Sequence, residues 1–558
     1  MKVFKGVGVS NAIAVGSLKL CKKSMDIQKK PIADMASELK RFEAAQKAAI
    51  KKTLELYEKS VKGLGAEKAE IFEVHAMMME DQDYTDCIKS IIEDQRVNAE
   101  YAVQEAGRIF SKKLLDIDDE YMRQRGADVI DISRVIIHEM LKVKDSNPEM
   151  LKEPAVLAAA DLMPSETVQL NRNLVLAIIT QEGSSTSHTA ILAHTLGIPA
   201  VLGLGRAFDE LEDGCYVIVD GFSGSVITDP DEETIKIYNE RINAYLQEKN
   251  ELQKLLGRKS ISLDGTEIEL YANISRPDEA VTALENGAEG IGLYRSEFLF
   301  MENSGLPTEE QQYKAYSDVL KIMQGKRVVV RTIDIGADKH LPYLQLPHEE
   351  NPALGCRGVR LCLDKRDIFI SQLRALLRAS IYGKLAIMVP MITTLDEVCT
   401  VKEILNQVKL QLNAEGLRFA DDIEFGIMIE TPAAAMISDL LAKEVDFFSI
   451  GTNDLTQYTL AVDRMNSAIA GLYDPRHLSV LRLMAMVAKN AARNGIWTGI
   501  CGELSSDQSL TGLFLAMGIR ELSVAASEIL PIRRKICETD IGLVKQQYMK
   551  ELMLEGYL

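Results

Sequence analysis

Seven residues in the second half of this 558-residue chain sit where chemistry is done. Six end a short apolar run or follow it within a few residues: Arg295 in Gly-Leu-Tyr-Arg-Ser-Glu-Phe, Arg331 in Val-Arg-Thr-Ile-Asp-Ile-Gly, Glu430 in Met-Ile-Glu-Thr-Pro, Asn453 and Asp454 in Ser-Ile-Gly-Thr-Asn-Asp-Leu, and Cys501 in Gly-Ile-Cys-Gly-Glu. Arg464 follows in a loop. Arginines clamp phosphate and carboxylate through two parallel bonds. Two carboxylates, Glu430 and Asp454, can hold a hard cation such as Mg²⁺. A small molecule with both a phosphate and a carboxylate suits this set, phosphoenolpyruvate being the obvious case. Cys501 could then act as acid on the enolate carbon left when phosphate departs. Each residue alone has a plainer reading: a salt-bridge arginine or a small buried thiol. What favours chemistry is that five such ends carry polar or reactive groups over apolar interiors.

A second centre is Gly183-Ser-Ser-Thr-Ser-His188-Thr-Ala-Ile-Leu, where a strand runs through a Gly/Ser/Thr loop into a helix. A helix start favours phosphate through its free N–H groups and dipole. A neutral imidazole nitrogen can attack phosphorus and hold the phosphoryl group reversibly. Thr186, Ser187 and Thr189 could hydrogen-bond the ring or its phosphate. The same loop also reads as ordinary helix capping.

The elements that position these groups follow from periodicity. Eight strands are expected after residue 261: Glu267–Asn273, Gly290–Tyr294, Val328–Thr332, Ala386–Met391, Glu424–Ile429, Phe447–Ile450, Thr498–Cys501 and Glu521–Ala525. Helical stretches separate them, which predicts a (β/α)8 barrel with its functional groups at the C-terminal strand ends. Residues 1 to about 20 read as strand and turn. Asp34 to Val143 carries apolar residues at helical spacing and no proline. Short strands return at Ala155–Ala160, Leu174–Thr180, Ala200–Leu204, Tyr216–Asp220 and Ser225–Thr228. The expected fold is α/β multidomain. Residues 1–21 and 146–230 form one α/β domain, 22–145 an inserted helical bundle, 231–260 a linker helix and 261–558 the barrel.

Composition narrows the class. The hydrophobic fraction of 47% and charged fraction of 26% are those of a globular protein. No apolar run approaches the ~18 residues of a membrane span. The start shows no signal-peptide cleavage site, and eight scattered cysteines suit a reducing cytoplasm. A formal net charge of -18 argues against nucleic acid and permits a basic protein partner. No P-loop and no GxGxxG after a strand is present.

Further segments carry a family resemblance: Ile71-Phe-Glu-Val-His-Ala-Met, Asp118-Asp-Glu-Tyr, Ala160-Asp-Leu-Met-Pro-Ser-Glu-Thr, Thr186-Ser-His-Thr, Gly290-Ile-Gly-Leu-Tyr-Arg-Ser-Glu-Phe-Leu-Phe-Met, Glu349-Glu-Asn-Pro-Ala-Leu-Gly, Glu430-Thr-Pro-Ala-Ala-Ala, Asp446-Phe-Phe-Ser-Ile-Gly-Thr-Asn-Asp-Leu-Thr-Gln-Tyr and Cys501-Gly-Glu-Leu. Over nearly its full length the chain resembles enzyme I of the phosphoenolpyruvate:sugar phosphotransferase system. The resemblance implies that His188 takes the phosphoryl group from phosphoenolpyruvate and passes it to the small phosphocarrier HPr or a variant of it. Arg295, Arg331, Asn453, Asp454 and Arg464 would hold the substrate, Glu430 and Asp454 would bind Mg²⁺, and Cys501 would protonate the enolate. The block 22–145 would dock the carrier, acidic Asp116–Glu120 suiting a basic partner face. The barrel would make a homodimer.

Some residues depart from that pattern. The family usually has Gly-Gly-Arg-Thr-Ser-His where this chain has Gly183-Ser184-Ser185-Thr186-Ser187-His188, so a cation beside the phosphohistidine is missing. Gly336-Ala337 replaces Gly-Gly, and Cys356 replaces tryptophan. Two other functions compete. A dikinase or synthase of the phosphoenolpyruvate type would need a nucleotide-binding domain, for which this chain has only the helical block. A specialised or regulatory paralogue with an altered carrier or slow transfer is supported by the changed loop alone.

Overall fold

The structure is a computed structural model. It describes the chain apart from residues 11, 22–26, 65, 116–119, 142–150, 152, 161, 163–170, 172–173, 184–188, 191–192, 194–196, 302, 304, 338, 340, 342, 345, 467 and 552–558, and apart from the side chains of 59–70, 115, 120–124, 127 and 548–551. His188, Thr186, Ser187, His194 and the acidic segment 116–119 therefore lie outside the described residues. Two compact units divide the chain, Met1–Gln247 and Glu248–Leu558.

In the first unit, three N-terminal strands, β1 (Lys2–Lys5), β2 (Val7–Gly8) and β3 (Ile13–Cys21), join β4 (Ala155–Ala159), β5 (Val175–Thr180), β6 (Ala200–Leu202), β7 (Tyr216–Asp220) and β8 (Ser225–Thr228) in one sheet of order β1-β8-β7-β3-β4-β5-β6-β2. β3 runs parallel to β4 and antiparallel to β7, so chain segments more than 130 residues apart in sequence share a core. The near-continuous apolar runs Ala155-Val-Leu-Ala-Ala and Val175-Leu-Ala-Ile-Ile suit strands covered on both faces. Among the described residues five helices intervene: α1 (Met35–Leu64), α2 (Ala66–Glu80), α3 (Gln82–Gln95), α4 (Ala99–Leu115) and α5 (Glu120–Leu141). Phe42, Ala49, Ile88, Ile92, Val103 and Ile136 pack their core. His75 is buried there between Asp128 (3.4 Å) and Asp131 (3.7 Å).

The expected linker helix is α6 (Glu232–Gln253), without a buried residue, and it crosses the boundary between the units. It ends before Leu256, because residues 254–256 bond back three residues instead of four and Gly257 turns left-handed at φ 77°. Apolar spacing alone does not distinguish such tightening from a further helical turn.

The second unit closes as expected. β9 (Glu269–Ile274), β10 (Ile291–Arg295), β11 (Val328–Arg331), β12 (Leu385–Val389), β13 (Glu424–Ile429), β14 (Phe447–Ile450), β15 (Trp497–Ile500) and β16 (Glu521–Val524) form an all-parallel closed barrel. Side chains alternate between two cores. Leu270, Val330, Ile387, Ile427, Phe448, Ile500 and Leu522 face the surrounding helices. Leu293, Val329, Met388, Met428, Phe447 and Cys501 face the lumen. A one-residue slip would exchange the two sets, which fixes the register. Truncating a ring such as Phe448 costs about 3–5 kcal/mol. Among the described residues, no helix is long and apolar enough to cross a membrane.

The lumen has a polar floor. At the N-terminal strand ends Arg327 is paired with Glu269 and Glu424 (2.8 Å to the latter), and its guanidinium lies 4.8 Å from the Trp497 ring centre. Glu521 is buried just inside, and burial pushes its carboxyl well above the ordinary range. It is thus neutral in the folded protein over pH values where the unfolded chain ionises it. The sign is therefore that stability falls as pH climbs from the ordinary carboxylate range toward the raised value. Glu521→Gln is expected to melt higher than wild type, by a margin that is small at pH 4 and widens toward pH 8, when followed by calorimetry.

Candidate functional site

Each barrel strand delivers its last residues to one mouth. β11 ends at Arg331, whose Cα is in register with Arg295 at the end of β10. Both guanidiniums thus start from neighbouring strand ends. Arg331 is mostly covered, its side chain 13% exposed, and pairs with Glu297 (3.1 Å) and Asp334 (3.0 Å), while its Nε has no partner among the described residues. Arg295 is half-buried, and none of the described residues pairs with its side chain.

β13 ends at Ile429, and the Thr431-Pro432 pair starts a helix at once, Thr431 Oγ1 accepting from Ala434 N–H at 3.1 Å. That leaves Glu430 facing the mouth, fully buried, with Oε1 accepting from Met391 N–H at 2.6 Å. Met391 follows β12 with φ 62°, a conformation costly for a non-glycine residue, and it is this turn that aims the amide. After β14, helix Thr452–Leu460 carries Asn453 and Asp454 in its first turn, where the dipole favours a carboxylate. Asn453 Oδ1 accepts from Glu503 N–H at 3.2 Å. Arg464 comes within 3.7 Å of Asp454 and remains partly exposed. Cys501 follows β15, buried, with Sγ–H directed at the Ile450 carbonyl at 3.8 Å. The mouth therefore gathers Arg295, Arg331, Glu430, Asn453, Asp454, Arg464 and Cys501.

Three participants were not singled out in the sequence. Asp334 binds both Arg331 and Arg357; Arg357 reaches Asp334 at 2.9 Å and Asp454 at 3.5 Å. Glu297 accepts from Asp334 N–H at 2.8 Å as well as from Arg331. Asp334 does lie in the Arg331 motif three residues beyond the strand end, a spacing that could have marked it.

One oxygen from each of Asp334, Glu430 and Asp454 lies within 4.8 Å of the others, a set able to hold a metal ion. Burial would raise Asp334, but Arg331 and Arg357 outweigh it and hold the carboxyl below its usual range. Burial and the neighbouring Asp334 and Asp454 push Glu430 up to about 8. The charges explain why. Glu297, Asp334, Glu430 and Asp454 offer four carboxylates to two buried guanidiniums. With all four ionised, a divalent cation would balance the two negative charges that those guanidiniums leave over, and hard oxygen donors suit one. Titration calorimetry with Mn²⁺ is expected to find a site in the protein that weakens at least ~10-fold in Asp454→Asn. Burial pushes the Cys501 thiol up to about 12, so it stays protonated near neutral pH. The site thus combines guanidiniums, a carboxylate trio able to hold a cation and a protonated thiol.

The second centre is described only at its edges. β5 ends at Thr180, Gly183 turns at φ 112°, and Thr189 Oγ1 donates to the Leu162 carbonyl at 3.2 Å. Ala190 and Ala193 pack on the sheet.

Known proteins resemble the chain throughout. Family models match for the PEP-utilising enzyme N-terminal region (residues 5–125), its mobile domain (151–224) and its PEP-binding domain (249–541). A phosphoenolpyruvate-protein phosphotransferase of Priestia megaterium is 46% identical over 536 residues, 96% of this chain and 94% of the relative. Those of Bacillus subtilis (strain 168) and Geobacillus stearothermophilus are also 46% identical, over 96% and 98% of this chain and 94% and 95% of theirs.

Proposed function

The chain belongs to the phosphoenolpyruvate-protein phosphotransferase (enzyme I) family, and from that premise we propose how its own residues carry the transfer. Arg295, Arg331, Asn453 and Arg464 bind the phosphate and carboxylate of phosphoenolpyruvate. Arg331 and Arg357 are held by Glu297 and Asp334, so their positions are set before substrate arrives. Glu430 and Asp454, joined by Asp334, would hold Mg²⁺, which would supply positive charge to offset that of the phosphoryl group.

A ring nitrogen of His188 then forms a bond to phosphorus as the bond to the enol oxygen breaks. The departing enolate takes the Cys501 thiol proton at its methylene carbon and becomes pyruvate. His188 next passes the phosphoryl group to a histidine of a small phosphocarrier, HPr or a variant, as the first step of sugar uptake. The helical block around α1 to α5 is the carrier's docking domain, the barrel the homodimer contact, and the cytoplasm the compartment.

The observation that carries this reading is the buried trio Asp334, Glu430 and Asp454 beside two guanidiniums and a protonated thiol at one barrel mouth. Mixing the protein with phosphoenolpyruvate and Mg²⁺ is expected to give a stoichiometric burst of pyruvate without acceptor, and steady turnover once HPr is added. Binding of phosphoenolpyruvate with no burst would instead favour a regulatory paralogue, consistent with Ser184 and Ser185 standing where the family has glycine and arginine.

A further inference from the structure

Glu521 opens β16 with its side chain turned into the lumen, while Leu522 and Val524 pack outward. It is 1% exposed. Its carboxyl lies against two strands at once: a Cβ at Gly499 on β15 would meet Oε2 at 1.8 Å, and one at Gly292 on β10 would meet Oε1 at 2.3 Å. Only glycine fits at those two positions. Oε1 has no hydrogen-bond partner among the described residues. An unpaired buried carboxyl costs stability, so its presence calls for a use.

What lies above it supplies one. Gly499 and Cys501 are two residues apart, so both face the lumen and the Cys501 thiol stands one layer, roughly 6–7 Å, nearer the mouth. Ser449 on β14 is the register partner of Gly499, is 1% exposed, and its Oγ lies beside the Cys501 thiol. That Oγ also lacks a hydrogen-bond partner among the described residues. The Glu521 carboxyl thus reaches with Oε2 to Gly499, the strand neighbour of Ser449, while its Oε1, on the Gly292 side, and Ser449 Oγ are both left as orphan polar atoms in the lumen. A bridging water or a small shift of either side chain would join the hydroxyl to the carboxyl. Below, Glu269 is the register partner of Glu521 on β9, is bound to Arg327, and is 44% exposed at the barrel floor. The charged groups facing Glu521 are Glu269 and Arg327; those facing Cys501 are Glu521, Arg331 and Glu430.

We propose that Glu521 reloads the Cys501 thiol with a proton through Ser449, along a path that enters the barrel through its floor. The proposal rests on Cys501 being the proton donor to the enolate. When the thiol proton moves to carbon, a thiolate remains. The Ser449 hydroxyl gives its proton to sulfur, and the Glu521 carboxyl gives its proton to the Ser449 oxygen. The resulting Glu521 carboxylate faces Arg327 and regains a proton from water by way of Glu269. Product covering the mouth does not block this route, so the acid is restored while pyruvate is still bound. Glu521 and Ser449 are positioning residues, since neither touches substrate.

The test is run in D2O with the full chain, Mg²⁺, phosphoenolpyruvate and ¹⁴C-pyruvate. Carbon label entering phosphoenolpyruvate counts passages through the reaction, and deuterium at the methyl carbon counts re-equilibration of the thiol with solvent. In wild type the two are expected to keep pace. In Glu521→Gln, and separately in Ser449→Ala, deuterium is expected to lag so that its ratio to carbon exchange drops at least roughly tenfold, the full worth of a positioned proton donor being about 10²–10⁴. Glu521→Asp restores the ratio. A ratio unchanged in both variants overturns the proposal, including the case where both exchanges fall together through structural damage. No carbon exchange in wild type would instead overturn the phosphotransfer reading itself.

Discussion

In Cys501→Ala, phosphoenolpyruvate binds with little change while pyruvate forms ~10²–10⁴-fold more slowly in a single turnover, the worth of a positioned general acid. The reason is the state of the thiol. Its burial keeps it protonated far above neutral pH, so it is a donor that needs no activation, and the Ile450 carbonyl beside it fixes its direction. Alanine leaves the clamps and the cation seat in place, since neither Arg331 nor Glu430 bonds to Cys501. The loss therefore falls on the chemical step and spares affinity for the substrate. Rapid-quench measurement of pyruvate separates the two, and a variant that forms pyruvate at the wild-type rate would remove Cys501 from the mechanism.

Arg357→Met is expected to destabilise the barrel by about 3–5 kcal/mol in the absence of divalent cation, the cost of leaving a buried ion pair without one partner. Arg357 lies between Asp334 and Asp454, and its side chain is only 14% exposed. Without it, three buried carboxylates face Arg331 alone among the buried guanidiniums. Mg²⁺ should return part of the loss, because a cation at the trio does by binding what the guanidinium does by folding. Urea unfolding with and without Mg²⁺ measures both effects. An Arg357→Met protein as stable as wild type in EDTA would mean that the trio is not electrostatically stressed.

The barrel was legible in the sequence because each strand couples an apolar run to a polar end, as in Val328-Val-Val-Arg331, and that coupling survives without knowledge of neighbours. Cys501, Glu430 and Asp454 stood out for the same reason. Arg357 did not, because it reaches the mouth from a long loop after β11, and its partners Asp334 and Asp454 are 23 and 97 residues away. Glu297 likewise sits in a helix start, where a carboxylate is ordinary. Glu521 was read only as the first residue of a strand; its meaning comes from Gly292 and Gly499, two gaps that lie on other strands. The linker expected over 231–260 leaves the helix after Gln253, since Leu255 and Leu256 continue the apolar spacing through a turn. Cys356, which departs from the pattern the resemblance implies, precedes Arg357 and takes its place through a backbone bond to Glu349 at 3.0 Å. Nothing in the structure explains that substitution.

The relay depends on one histidine. The most direct measurement is intact mass after incubation with phosphoenolpyruvate and Mg²⁺, for the wild type and for His188→Ala. The account predicts one acid-labile phosphate on the wild type and none on the variant. A wild type that takes no phosphate, or a His188→Ala protein that still takes it, would contradict the account.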